Sequence, residues 1–235
     1  MEYIDFEEFN GDLSYVKLTI IDLTFHIFID AASELNKVKE ELYFSLYGIK
    51  KEFNEFMLKR PDIQYATEPI ALKGTEPQII TDLSESAKAL GMGPICGYNG
   101  IFADLALEAI GDMGRDVMVQ CGNSLAFHSH KKRILPIFPN FANPLPWGIK
   151  ISRGFWGITL GKNTVSLSNT ALYSDIATAR SDIEMKAGSS FAEIADILRP
   201  LKCLRGGAFL YNENTGSWGD ISPIVLNKTE NKAEE

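Results

Sequence analysis

One stretch of small and apolar residues constrains the fold more than any other part of the chain. After the turn Gly91-Met92-Gly93-Pro94, the pattern predicts a helix to about Ile110 that carries alanine, glycine or an apolar side chain on almost every face. A helix without a polar face has to be enclosed on all sides, so we expect it at the centre of the fold. The rest of the chain must supply the elements that surround it.

Near the start of the chain, polar and apolar residues alternate over Tyr15–Asp30, which is the period of a half-buried strand. The phase flips at Ile20-Ile21, and this flip predicts a bulge or a bend, because a slip of one residue moves side chains to the opposite face. After the flip, Asp22, Thr24 and His26 share the polar face. This arrangement is typical of a solvated sheet surface.

Helical and extended patterns then follow in groups. A long amphipathic helix runs from Leu35 and ends before Pro61, with Asp30 as its expected cap, and a capping box at Thr75–Gln78 opens a second helix. Later segments predict strands at 116–120, 125–128, 149–151, 157–160 and 164–167, helices at 174–186 and 191–198 (the last opened by a Ser190 and Glu193 capping box), and a terminal hairpin of 208–211 with 221–226. Because strands and helices cluster instead of alternating singly, we expect an α+β fold with a mainly antiparallel sheet and packed helices.

The chain is predicted to form a single domain over residues 1–226. Its two strand–helix–strand halves, about 12–115 and 116–226, suggest an internal duplication. The remaining residues, 227–235, are polar and are predicted to be disordered.

Composition excludes several classes of partner. The chain has 23 Lys and Arg against 31 Asp and Glu, a net charge of −8, which argues against nucleic acid and against an anionic membrane surface. Its three cysteines, Cys96, Cys121 and Cys203, are an odd number without a Cys-x-x-Cys pair, so we expect buried thiols in a reducing compartment and no disulfide framework. The acidic first residues do not resemble a secretion signal, and no apolar run is long enough to span a membrane. We therefore expect a cytoplasmic protein.

The glycine-rich turn is the first candidate site. It is not a dinucleotide-binding motif, because a helix rather than a strand precedes the glycines. The helix that follows Pro94 still begins with free backbone N–H groups, which form a potential anion site. The alternative is that Gly97 and Gly100 only allow a buried helix to pack closely against its neighbours.

Two other groups of residues are candidate metal ligands. His128 and His130 have no evident third ligand and precede three basic residues, so a hairpin tip is the better interpretation. Asp175, Thr178 and Asp182 share one helix face and could supply oxygen ligands to Mg²⁺. The alternative is that the acidic residues lie near a helix N-terminus because they interact favourably with its dipole.

Together these features resemble the ApbE-like superfamily, and within it a short branch of uncharacterised cytoplasmic proteins without a signal sequence. The segment Ala87–Asp104 carries the resemblance, because it is similar to the glycine–Val–Gly–Pro–Met stretch and the Ala- and Gly-rich helix of that branch. Further support comes, in chain order, from Asp22-Leu23, Arg60-Pro61 with Glu68-Pro69, Val117–Gly122, Leu160-Gly161-Lys162 and Ala177-Thr178-Ala179. The match covers most of residues 15–225.

The resemblance implies a T-fold-like architecture and a site for a flavin nucleotide (FAD or FMN) with Mg²⁺. The long, exported relatives use Mg²⁺ to transfer FMN from FAD to a protein threonine. Carried over to this sequence, the expected ligand-binding residues are Gly93, Pro94, Gly97, Asn99, Gly100, Gly122 and Asn123, and the expected metal ligands are Asp175 and Thr178. No catalytic residue is assigned.

The chain departs from the family pattern at positions that flavin transfer requires. Gly122-Asn123-Ser124 stands in place of Gly-Gly-Asp, and the Thr-Ser-Gly loop expected between Trp156 and Leu160 is missing. Asp175 precedes Thr178 by three residues, where the family has four. Losing carboxylates from a Mg²⁺–phosphate site removes the charges that hold the cation, which argues against flavin transfer.

Two functions therefore remain open. The first is an ApbE-like protein with a cleft for a small anionic ligand, a flavin nucleotide being the candidate. The second is a non-catalytic accessory protein in anaerobic, sulfide-dependent homocysteine formation, an association that comes from the family branch. The aromatic, Pro-rich stretch Phe138–Trp147 would then suit a protein partner. A homodimer through sheet edges is a further expectation.

Overall fold

The computed structural model describes residues 11–137, 147–186, 188–211 and 214–225. The strands are β1 Ser14–Ile20, β2 Leu23–Ile29, β3 Val117–Cys121, β4 Ser124–Ser129, β5 Arg133–Ile137, β6 Trp147–Ile151, β7 Gly154–Leu160, β8 Thr164–Ser168, β9 Leu204–Tyr211, β10 Asn214–Gly219 and β11 Ser222–Val225. The helices are α1 Leu35–Lys59, α2 Pro61–Gln64, α3 Gln78–Ala89, α4 Tyr98–Ile110, α5 Ala171–Glu184 and α6 Phe191–Leu198.

The strands form two antiparallel sheets. Eight of them make one sheet in the order β1-β2-β3-β4-β7-β8-β9-β10, and the other three make a sheet in the order β11-β6-β5. Apolar side chains of both sheets form one cluster, in which Phe28, Met118 and Phe127 of the large sheet meet Leu135 and Ile149 of the small one. The small sheet therefore covers one face of the large sheet and the helices cover the other. This confirms the predicted α+β class with a mainly antiparallel sheet.

Helix α4 lies at the centre of the helical layer, as its sequence predicted. It contacts α1, α5, β3 and β4. Phe102, Ala103 and Ala106 are fully buried in a cluster that also contains Leu46 of α1 and Val119 of β3. A helix without a polar face is stable here because every side meets another element.

The phase flip near the start of the chain is a hairpin and not a bulge in one strand. β1 and β2 pair antiparallel, and only Ile21 and Asp22 lie between them. Ile20 and Leu23 are direct partners, so the two apolar phases point to the same face of the sheet. Ile21 has a φ of 58°, a left-handed conformation that is rare for a β-branched residue.

Two predicted helix caps are wrong. Asp30 does not cap α1, since its Oδ1 accepts the backbone N–H groups of Arg115 and Asp116 at 2.9 and 3.2 Å. Helix α3 begins after Pro77 without a side-chain cap, and the carboxylate of Glu76 instead bonds backbone N–H groups in the preceding turn. Asp30 is held by donors from a distant part of the chain, and Thr75 lies two residues before Pro77, which stands at the cap position of α3.

The capping box predicted for α6 is confirmed. The Ser190 hydroxyl accepts the N–H of Glu193, and the Glu193 carboxylate accepts the N–H of Ser190. Local sequence is sufficient here because both partners lie within one helical turn.

The terminal hairpin was predicted with the wrong partner. β9 pairs with β10, whereas β11, inside the predicted strand 221–226, pairs with β6 in the small sheet. The segment 133–137, for which no strand was predicted, is strand β5 and also joins the small sheet. The pairing of β11 with β6 joins distant segments, which local periodicity does not encode.

Each half of the large sheet consists of a hairpin, a group of helices and a second hairpin. The first half contains β1–β2, α1 to α4 and β3–β4, and the second contains β7–β8, α5, α6 and β9–β10. The single domain and its duplication remain predictions; if the halves are repeats, they divide after β4 and not near residue 115. The predicted disordered tail and nearly all of the stretch 138–147 lie outside the described residues. Among the described helices, none is long and apolar enough to cross a membrane.

Candidate functional site

Two of the predicted ligand-binding glycines are points of close helix packing. A Cβ on Gly100 would lie 2.3 Å from the carbonyl oxygen of Ala171. One on Gly97 would lie 2.5 Å from Leu172 Cδ1, so both glycines face the start of α5. These contacts favour the alternative in which Gly97 and Gly100 allow a buried helix to pack closely against its neighbours.

Gly93 and Pro94 precede α4 and are also enclosed by the chain. The Gly93 N–H donates to the carbonyl of Thr67 at 3.0 Å, and a Cβ on Gly93 would overlap the backbone of Ala66. Pro94 is buried at the first position of a 3-10 turn that leads into α4. The structure therefore places both residues against the loop that follows α2.

The N-terminus of α4 binds a carboxylate of its own chain. Gly100 donates its N–H to Asp175 Oδ2 at 3.0 Å, and the nearby N–H of Asn99 and hydroxyl of Ser124 also act to lower the pKa of this carboxyl group. Asp175 is only 5% exposed. Burial raises its pKa to about 7, and the hydrogen bond from Gly100 opposes this rise. Asp175 thus occupies the anion position that free backbone N–H groups were predicted to offer a ligand.

The two predicted metal ligands, Asp175 and Thr178, both make hydrogen bonds within the chain. The Thr178 hydroxyl donates to the carbonyl of Ser174 at 2.8 Å, one turn earlier in α5, and both residues are buried. Across the described part of the chain, no three His, Cys, Asp or Glu side chains are grouped to hold a metal ion. The assignment of Mg²⁺ to Asp175 and Thr178 remains a prediction that these contacts do not support.

Asn99 does meet the β3–β4 turn, as the combined motifs predicted. Its Nδ2 donates to Asn123 Oδ1 at 2.8 Å, and Asn123 Nδ2 donates to the carbonyl of Leu160 at 3.1 Å. Gly122, with a φ of 56°, lies against Asn99, since a Cβ there would be 2.7 Å from the Asn99 side-chain amide. Residues of two separate motifs and of β7 are thereby joined.

A cavity of about 470 Å³ opens beside this junction, and we call it the hairpin cavity. Its lining residues are Lys17, Asp22, Leu23, Thr24, His26, Tyr98, Asn99 and Gly122. Lys17 and His26 face each other across β1 and β2. Burial and the charge of Lys17 lower the pKa of His26, so its ring is neutral near pH 7 while Lys17 carries the positive charge.

A second cavity of about 540 Å³, the lysine pocket, adjoins the first, since Asp22 and Tyr98 line both. Its lining residues are Asp22, Lys50, Phe53, Asn54, Met57, Leu58, Pro61, Gln64, Ile95 and Tyr98. The sequence analysis did not identify Lys50. Its position between Leu46 and Phe53 on the buried stripe of α1 was the available signal, because a lysine on that stripe must be buried.

The histidines and cysteines show no ligand arrangement. The His128 ring stacks on Phe155 with centroids 4.1 Å apart, and His130 Nδ1 lies 2.5 Å from the carbonyl oxygen of Arg115. Cys121 is fully buried, and burial raises its pKa to about 12. The three cysteines are all among the described residues and form no disulfide, as predicted.

No family model matches the chain. A UPF0280 protein of Methanococcoides burtonii is 23% identical over 216 residues, which cover 85% of this chain and 90% of that protein. A UPF0280 protein of Archaeoglobus fulgidus is 30% identical over 92 residues, only 39% of each chain. This chain is similar to UPF0280 proteins.

Two solved structures of the flavin transferase ApbE from Vibrio cholerae also match. They cover 92% and 88% of this chain and 97% of each of those chains, with TM-scores of 0.43 and 0.39 and identities of 8% and 9%. These two structures bear the name of the superfamily that the sequence resembles. At TM-scores below 0.5, no residue role is transferred from these structures to this UPF0280-like chain.

Proposed function

We propose that this chain binds a small anionic ligand in the hairpin cavity, with a flavin nucleotide as the candidate, and that it does not transfer flavin. The observation that carries the proposal is the meeting of Asn99 and Gly122 with Lys17 and His26 around one cavity. Flavin enters through the sequence resemblance of residues 87–104 to ApbE-like proteins.

The charge and hydrogen-bonding groups of the hairpin cavity favour an anion. The chain carries a net charge of −8, so an anionic ligand needs a local positive group. Lys17 supplies an ammonium group on one wall. The Asn99 amide, which also lines the cavity, is held in place by Asn123. A phosphate group would find a point charge and an oriented amide there.

The size of the cavity also suits such a ligand. Ligand pockets have volumes of roughly 300–1,000 Å³, and the hairpin cavity measures about 470 Å³. The residues present therefore fit the phosphate-bearing part of a flavin nucleotide. When bound, flavin would supply a redox-active ring, and this chain's residues would hold and orient its phosphate.

The residues described do not fit the Mg²⁺ that flavin transfer requires. Asp175 is buried, and its carboxylate already accepts a hydrogen bond from Gly100. Ser124 occupies the position of the family's acidic residue, and its hydroxyl hydrogen-bonds to that of Thr159 at 2.9 Å. Asp22 is the one carboxylate among the described residues that line the hairpin cavity. With no second carboxylate there, the proposal contains no transfer step.

The test is a comparison of FMN with riboflavin, which differs only in lacking the phosphate. Purified full-length protein is examined for a flavin absorbance spectrum and then titrated with each compound, with and without Mg²⁺, while the thermal midpoint is followed. A ligand at 100 times its Kd stabilises the native state by about 2.7 kcal/mol. We expect FMN to raise the midpoint, riboflavin to raise it less, and Mg²⁺ to have no effect.

A matched pair of variants locates the site. Lys17→Met should weaken FMN binding about tenfold and leave riboflavin binding within about twofold. Lys132→Met removes an exposed lysine from the other end of the sheet and should change neither. If no flavin co-purifies with the protein and FMN does not shift the thermal midpoint, the proposal is wrong. Capture of one protein partner in a fixed ratio would then favour the accessory role.

A further inference from the structure

We infer that the lysine pocket binds a small aromatic anion, with the Lys50 ammonium group as its anchor and Asp22 as the internal carboxylate that the anion replaces. This pocket adjoins the hairpin cavity, with which it shares Asp22 and Tyr98, but the inference does not depend on flavin binding there.

Lys50 is a buried cation with aromatic neighbours. Its side chain is 2% exposed. The Nζ atom lies 5.3 Å from the ring centroids of Phe53 and Tyr98 and 6.0 Å from that of Phe102. Ring faces attract a cation but do not replace the hydrogen bonds of water, so the ammonium group needs a polar partner.

The partners of Lys50 differ greatly in exposure. Asn54, one turn further along α1, accepts a hydrogen bond from Nζ. Asp22 Oδ1 lies 2.8 Å from Nζ, and the Asp22 side chain is 63% exposed at the tip of the β1–β2 hairpin. Asp22 keeps most of its contact with water and is released at small cost, whereas Lys50 cannot be left without an anion. An incoming anion can therefore take the place of Asp22.

The walls of the lysine pocket determine what that anion carries. Its apolar lining residues are Phe53, Met57, Leu58, Pro61, Ile95 and Tyr98. Among its lining residues, Lys50 is the only cation and Asp22 the only anion. Inorganic phosphate would make no apolar contact with these walls. A neutral ring would supply no negative charge to replace Asp22 beside Lys50. A flat apolar ring with one anionic group uses both.

The test compares two fluorescent probes that differ by one anionic group. Anilinonaphthalene sulfonate is an aromatic anion, and N-phenylnaphthylamine is the same ring system without the sulfonate. Both are titrated into full-length protein and followed by fluorescence. We expect Lys50→Met to weaken binding of the sulfonate about tenfold and to leave the neutral probe within about twofold. Lys51→Met removes the exposed lysine next to it and should leave both probes unchanged.

A second variant changes the affinity in the opposite direction. Asp22→Asn removes the competing carboxylate, so the sulfonate should bind about threefold to tenfold more tightly and the neutral probe should not change. Asp112→Asn, at an exposed position outside the pocket, is the charge-matched control and should have no effect. Asp22 lies on an exposed turn, so this pair decides the question even if Lys50→Met fails to fold. Equal changes for both probes, or weaker sulfonate binding in Asp22→Asn, would overturn the inference.

Discussion

Asp104 and Asp175 each bind the N-terminus of the helix that carries the other. Asp104, in α4, accepts the backbone N–H groups of Ala171 and Leu172 at 2.9 Å each, at the start of α5. Asp175, in α5, accepts the N–H of Gly100 at 3.0 Å, at the start of α4. Each helix start leaves N–H groups without an intrahelical partner, and here a carboxylate of the neighbouring helix satisfies them.

Asp104→Ala is expected to lower the free energy of unfolding by about 2 kcal/mol, because two N–H groups of α5 lose their acceptor. Urea unfolding followed by circular dichroism measures the change. Glu108→Ala, an exposed acidic position in the same helix, serves as the control and should cost less than about 0.5 kcal/mol. Equal losses in the two variants would show that Asp104 does not act as a cap.

Asp175→Asn is expected to flatten the pH dependence of stability. Burial raises the Asp175 pKa to about 7, so between the unfolded value and pH 7 the native state binds more protons than the unfolded state. Native stability then falls as the pH rises through this range, by at most about 1.4 kcal/mol per pH unit. Asparagine does not titrate. The free energy of unfolding of the variant should therefore rise relative to that of the natural protein as the pH increases to about 7, and the difference should stay constant above it.

Urea unfolding at a series of pH values between about 5 and about 8 measures this difference. Asp104, whose pKa burial also raises, to about 6, is present in both proteins, and its charge is the smallest of the causes of the Asp175 shift. Parallel stability curves for the two proteins would contradict the assignment of this proton to Asp175.

Gly100→Ala is expected to destabilise the protein by about 3 kcal/mol, because the new Cβ would meet the backbone of Ala171 and Leu172, which has no room to shift. Gly48→Ala is the matched control, since a Cβ at this exposed position of α1 would meet nothing within 4 Å. Helix propensity predicts that this control stabilises by about 0.5–1 kcal/mol. Thermal unfolding measures the change in stability of each variant. If both changes have the same sign, the close approach of α4 and α5 at Gly100 is contradicted.

Ile21→Asn is expected to stabilise the β1–β2 hairpin by about 0.5–1 kcal/mol, because asparagine tolerates a positive φ better than a β-branched residue. Ile21 is 47% exposed, so little buried apolar surface is lost. Thr19→Asn places the same residue within β1, where it should destabilise. A loss of stability in Ile21→Asn, measured by urea unfolding, would mean that the Ile21 side chain contributes more than its backbone strain costs.

Local pattern was a good guide to elements and a poor guide to their partners. The periodicity of α1 and the all-apolar character of α4 predicted a long surface helix and a central one, and both are present. The phase flip at Ile20-Ile21 was interpreted as a bulge or a bend, since the turn Ile21-Asp22 contains no Gly, Asn or Pro and its signal is weak. The pairing of β11 with β6 joins segments more than 70 residues apart, and no local pattern specifies it.

The candidate site was predicted only in part for the same reason. Asn99, Gly122 and Asn123 were singled out and do meet, whereas Gly97 and Gly100 serve the contact between α4 and α5. Lys17, His26 and Lys50 were not expected at a site. A charged residue on a strand or helix is usually solvated, and only the fold shows which cavity it lines.

By itself the sequence determined the class of the fold, because hydrophobic period and helix-terminating residues act within a few residues of one another. It also determined that α4 must be largely enclosed, because almost every position of that helix carries a small or apolar side chain. Tertiary structure alone decided that Asp175 satisfies the N-terminus of α4, and that Lys50 lies among aromatic rings beneath Asp22. Those relationships join residues far apart in the chain, and their energies depend on burial, which exists only once the layers have packed.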